Sequence, residues 1–177
     1  MSDASGESRR RMAVFYGKDA GELDPETMPR EGIDDTVLSF LSRLNETGYR
    51  EGLAEKNLVL FKEPSEEGMS LVYVWFKSGY VLPFHSHDVD CLYYVLGGEL
   101  CMGSRVLRKG DGFFIPAGHG YGYEAGPDGV EVLEFRNATR FNLTLRGNDE
   151  ARWNRIVDTC RERAGVWAGE TVPPSES

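Results

Sequence analysis

Cysteine and histidine are both scarce here: the 177 residues hold three of each. Cys91, Cys101 and Cys160 are an odd number, widely spaced and without a CxxC pair. That fits a reducing cytoplasm better than a disulfide framework. Basic charge is also short, with 20 Lys and Arg against 29 Asp and Glu and a net charge of −9. Such a surface argues against nucleic acid or an anionic membrane as the main partner. No apolar run approaches the ~20 residues of a membrane span, and the opening MSDASGESRRRM lacks the apolar core of a signal peptide. The expectation is a cytoplasmic protein with a small-molecule substrate and neither nucleic acid nor membrane as partner. Hydrophobic residues make up 40% of the chain and aromatics 11%, enough for one domain with a real core.

The few histidines are concentrated. His85, His87 and His119 all fall in two glycine- and proline-punctuated segments, GYVLPFHSHDVDCLYYVLGG at 79–98 and GDGFFIPAGHGYGY at 110–123. In a strand, residues two apart point the same way and lie about 6–7 Å apart. His85 and His87 can therefore converge on one metal ion. The alternative for an isolated HxH pair is two strand histidines, each satisfied by its own hydrogen bond.

These segments resemble the two motifs of the cupin family. Gly79, His85, His87 and Gly97 or Gly98 match the first motif, and Gly110, Pro116 and Gly118 match the second. The resemblance covers roughly residues 57–146 and rests on two spaced motifs in the right order. It implies a mainly β fold: a single double-stranded β-helix, or jelly-roll barrel, with flanking N-terminal and C-terminal helices. It also implies a homodimer, for which the 57–63 strand and the Trp153 face of the last helix are candidate surfaces.

The chain departs from the family pattern twice. Cys91 stands where the first motif has its Glu ligand, and Tyr121 where the second has its His. His119 lies two residues before Tyr121 and shares its parity if the segment is extended. The candidate metal sets are His85, His87 and His119 with Tyr121 as acid or base; His85, His87 and Tyr121; or a set that adds Cys91 as a thiolate. A site without metal is a fourth reading. Histidine is the easier third ligand, because tyrosine ligates as phenolate and must titrate well below ~10, so the His119 set is favoured. Asp88 and Asp90 are turned away by parity and stand as second choices. Imidazole donors suit Fe(II), Zn, Ni and similar ions. Three-histidine iron sites occur in cysteine dioxygenase-like cupins, so one divalent metal is expected, with Fe(II) favoured over Zn, Ni or Mn.

Along the chain, 1–12 is expected to be a disordered polar arm containing Arg9, Arg10 and Arg11, and 13–56 a lead-in followed by a helix packing on the barrel. That helix is capped by Asp34 or Asp35, striped by Val37, Leu38, Leu41 and Leu44, and ended by Gly48. The barrel spans 57–146, with strands at 57–63, 70–77, 99–102, 105–107, 130–136 and 141–146 and a strong turn at 126–129. A helix over 148–164 is capped by Asn148 and stopped by Gly165, within a 147–166 unit, and 167–177 is a polar tail. Parity turns Cys91 and Tyr93 inward with His87, and brings Tyr123 in with Tyr121. Tyr73 and Trp75 are further pocket candidates, and Arg136 either clamps a substrate carboxylate from inside or sits at the surface, the default for arginine. The expected function is a mononuclear non-haem iron dioxygenase-type enzyme with Tyr121 and Cys91 in catalytic positions. A Zn, Ni or Mn lyase or isomerase is the runner-up, and a non-catalytic ligand-binding cupin the third reading.

Overall fold

The computed structural model describes residues 11–47 and 55–177. Arg9, Arg10 and Gly48 lie outside the described residues. In chain order the strands are β1 (Gly21–Glu22), β2 (Arg30–Glu31), β3 (Glu55–Lys62), β4 (Ser70–Phe76), β5 (His85–Ser86), β6 (Cys91–Met102), β7 (Arg105–Arg108), β8 (Gly112–Ile115), β9 (Glu124–Arg136) and β10 (Leu143–Leu145). Helix α1 (Asp35–Asn45) precedes β3, and α2 (Glu150–Gly169) follows β10. One sheet runs β1-β3-β4-β9-β6-β7, with β8 also on β6; the other runs β2-β10-β5. All pairings are antiparallel except β2 with β10. This is a jelly-roll β-barrel flanked by helices.

Alternation builds the barrel. On β4, Val72, Val74 and Phe76 are buried while Leu71 and Tyr73 are half-buried; on β6, Cys91, Tyr93 and Val95 are buried while Leu92 and Tyr94 are exposed. An antiparallel sheet with one face on the core requires this period of two. Across the outer face, Leu71, Phe135, Leu92 and Phe114 stand opposite one another in consecutive strands. Leu92 and Phe114 are more than half exposed, which makes this an apolar row on the surface.

Two sequence expectations need correction. The Gly-Pro-Asp-Gly segment at 126–129 does not reverse the chain but bulges within β9: Ala125 faces Leu100, and Val130 faces Gly98. Gly98 has φ +73°, and a Cβ there would lie 2.1 Å from the Gly129 carbonyl oxygen, so the bulge holds the two backbones against each other. The last helix continues past Gly165 to Gly169, and its cap is Asp149, which accepts from the Arg152 N–H. Trp167 is fully buried and its Nε1 donates to the Ser78 carbonyl at 2.9 Å. That anchorage outweighs the ~1 kcal/mol cost of one helical glycine.

Helix α1 begins at Asp34, whose carboxylate accepts from Val37 N–H at 2.9 Å. Its Phe40 stacks on Trp153 of α2 with ring centroids 5.4 Å apart. Trp153 is 1% exposed, so its face is used inside the chain and is not a dimer surface.

Candidate active site

The barrel encloses a cavity of about 280 Å³. His85, His87, Tyr121, Tyr123, Glu134 and Arg136 lie on its polar side, and Arg30, Glu55 and Asn57 line it as well. Leu41 and Leu44 of α1, Trp153 of α2, and Leu23 and Met28 of the lead-in close it.

Pairing of short segments sets the histidines. His85 and Tyr121 are bridged directly: each N–H donates to the other's carbonyl at 2.9 Å. This puts their rings 4.4 Å apart between centroids. His85 and His87 rings lie 5.2 Å apart, nearly perpendicular. His85 Nδ1 is 2.7 Å from the Pro83 carbonyl, and His87 Nδ1 is 2.5 Å from the Asn142 carbonyl. A carbonyl oxygen only accepts, so both Nδ1 atoms carry the proton and both Nε2 atoms keep their lone pairs. Burial, helped by the nearby Arg136 charge, pushes His85 down to about 4 and His87 down to about 3. Both rings are therefore neutral at pH 7.

This has a consequence for stability. The unfolded chain protonates these histidines below about 6.5, whereas the metal-free fold resists until about 4 and about 3. Stability is expected to fall as pH drops below ~6.5, by at most about 1.4 kcal/mol per pH unit for each histidine. Urea midpoints of chelator-treated protein between pH 6.5 and 5 check this. The slope should flatten in a His85→Gln, His87→Gln variant, and an equal slope would contradict the assignment.

Tyr121 and Tyr93 are linked through their hydroxyls. Burial raises the Tyr121 phenol above its ordinary value, so it stays protonated at pH 7. Glu134 and Arg136 form a buried ion pair, Oε2 to Nη2, at 2.5 Å. The guanidinium lies 3.9 Å from the centre of the Phe141 ring, which also meets His87 edge to face.

The other expected site residues lie elsewhere. His119 is exposed, on a turn in which its N–H donates to the Pro116 carbonyl at 3.1 Å. The segment is not extended there, so the parity that would align His119 with Tyr121 does not apply. Cys91 is buried outside the cavity lining, and burial pushes its thiol up to about 12, which disfavours a thiolate. Tyr93 lies behind Tyr121 rather than in the cavity wall. Tyr73 and Trp75 take the outward face of β4: Tyr73 Oη donates to Glu131 at 2.6 Å, and Trp75 borders a recess with Lys77 and Glu170. It is the other face of β4 that supplies Phe76 to the cavity. Asp88 and Asp90 accept backbone N–H bonds from Asn142 and Ala117, as loop braces.

Two imidazoles braced through Nδ1 fit a divalent transition metal, because such bracing fixes the tautomer and orients the ligating nitrogen. Among the described residues no group of three His, Cys, Asp or Glu side chains gathers that could hold a metal. The protein's nitrogen share of such a site is His85 and His87, with Tyr121 beside them.

Sequence reasoning missed the lead-in. Leu23 and Met28 line the cavity although they precede the barrel by some thirty residues, and nothing local signals it. Tyr80, beside the motif's Gly79, also lines the cavity and donates to Glu55 at 3.1 Å.

The barrel, its two glycine-bounded motifs in order, and the inward HxH pair resemble those of the cupin superfamily. No protein-family model and no curated protein matches the chain. Among solved structures it is similar to an RmlC-like cupin from Shewanella frigidimarina, at 26% identity over 47% of this chain and 75% of that one, with a TM-score of 0.41. It is also similar to KdgF from a Halomonas species, at 20% identity over 72% and 94%, TM-score 0.46. The polyketide cyclase RemF from Streptomyces resistomycificus gives 18% over 71% and 79%, TM-score 0.47. At these values the overlaps carry nothing about this chain's reaction. No helix among the described residues is long and apolar enough to cross a membrane.

Proposed function

We propose that this chain is a metal-dependent cupin enzyme acting on a small organic molecule held in the barrel cavity. One observation carries the reading: both motif histidines commit Nδ1–H to backbone carbonyls and keep a neutral Nε2 for a ligand. A divalent transition metal held by His85 and His87 would supply Lewis-acid polarisation of a substrate oxygen. Tyr121 is the proton-carrying group, a buried phenol whose Oη is hydrogen-bonded to Tyr93 and borders the same cavity. The dioxygenase expectation drew on a three-histidine set. With His119 on an exposed turn and Tyr121 beside His85, lyase or isomerase chemistry with Tyr121 moving a proton is the better supported reaction type.

Elemental analysis of protein purified without added metal, followed by titration with Fe(II), Zn, Ni and Mn, tests this. The expected result is one transition metal per chain, lost in a His85→Ala, His87→Ala variant that still folds. If the wild-type chain takes up none of the four, the protein is a non-catalytic ligand-binding cupin.

A further inference from the structure

The cavity holds donors that nothing in the described chain satisfies. Arg136 is 2% exposed, yet among the described residues its Nε and Nη1 find no hydrogen-bond partner; the same holds for the hydroxyl of fully buried Tyr123. Both side chains line the cavity. An arginine carries five N–H donors, and Glu134 engages only Nη2. Buried polar groups left unpaired cost about 1–3 kcal/mol each, a cost that a ligand acceptor in the cavity would relieve at Arg136 and Tyr123 together. Arginine nitrogens only donate, and the matching ligand group is therefore rich in acceptors and, opposite a guanidinium, anionic.

The rest of the wall restricts the ligand further. Phe76, Leu82, Leu143 and Leu145 give it an apolar stretch, while Arg30, Glu55 and Asn57 also line it, and the volume is about 280 Å³. That volume suits a small molecule rather than a polymer. At Arg136 itself a dianionic group is poorly suited, because its second charge would face the Glu134 carboxylate already paired with the guanidinium. A single carboxylate on a compact apolar body satisfies both limits.

We propose that the substrate is a small apolar monocarboxylate, its carboxylate received by Arg136 and Tyr123 and its body directed along the apolar wall near His85 and His87. This rests on the metal-enzyme reading only for what happens after binding. Glu134 then has a second role: it holds the guanidinium in place and limits affinity by facing the incoming anion.

Calorimetry on the full-length protein, as purified and after chelator treatment, tests the assignment with benzoate, phenylacetate and hexanoate against benzamide, phenylacetamide and hexanamide. At least one carboxylate is expected to bind tenfold or more tighter than its amide in both preparations. Tyr123→Phe should weaken that carboxylate several-fold and leave the amide unchanged. Glu134→Gln, which keeps an acceptor for Arg136 while removing the opposing charge, should tighten it several-fold. Amides binding as well as acids, or Glu134→Gln weakening the acid in a protein with wild-type thermal stability, overturns the proposal. A preference seen only in metal-containing protein also overturns it, since the anion would then be bound through the metal. Carboxylate selectivity in a chain that takes up no metal would sustain this inference while the enzyme reading fails.

Discussion

Replacing Arg136 by methionine is expected to cost the fold about 3–5 kcal/mol, the usual penalty for breaking a buried ion pair from one side. The Arg136 side chain is 1% exposed and that of Glu134 9%, so removing the guanidinium strands a carboxylate that water can barely reach. The Phe141 ring loses its cationic neighbour at the same time. Adding Glu134→Gln to Arg136→Met removes the stranded charge and should recover more than half of the loss. Urea or thermal unfolding of the four proteins in the cycle measures this; for a chain of this size 1 kcal/mol moves Tm by roughly 2–4 °C. A single-variant loss under about 1 kcal/mol would mean that Glu134 is hydrated from the cavity, and the pair would not be the buried anchor described above.

How much of this was legible in sequence depended on whether the information was local. The paired histidines were readable because the period of two in a strand is independent of everything else in the chain, and the Asp34 cap was readable because it acts within one turn. On β4, parity places Tyr73 and Trp75 on one face but cannot say which face meets the cavity. Tyr73 and Trp75 look like pocket aromatics, yet they lie outward, where Glu131 and the end of α2 receive them. The error at His119 had a different cause. Parity counts only in extended chain, and Pro116 to His119 close a turn in which Gly118 takes φ +74°. Gly118 turns the chain there and leaves His119 outside. Helix α2 was cut short for a similar reason: Gly165 is a local stop signal, whereas the burial of Trp167 against Ser78 is a long-range one. That Arg136 pairs with Glu134 while leaving two guanidinium nitrogens open needed three dimensions.

Tyr121→Phe is expected to lower turnover by 10²–10⁴-fold, the range for loss of a positioned general acid or base, while metal content stays at the wild-type level. The substitution keeps the ring that packs against His85 and Tyr123 and deletes only the hydroxyl. His119→Ala is expected to change neither metal content nor turnover by more than about twofold, since an exposed turn residue away from such features rarely matters energetically. The measurements are elemental analysis of each variant and its turnover rate. Tyr121 and His119 thus compete for one role, and the structure gives a reason to prefer the former: the two main-chain hydrogen bonds between residues 85 and 121 hold it beside His85 before any ligand arrives. Should His119→Ala strip the metal while Tyr121→Phe remains active, the 116–119 turn must fold inward around the ion. The three-histidine set, and with it the oxygenase chemistry, would then replace the assignment made here.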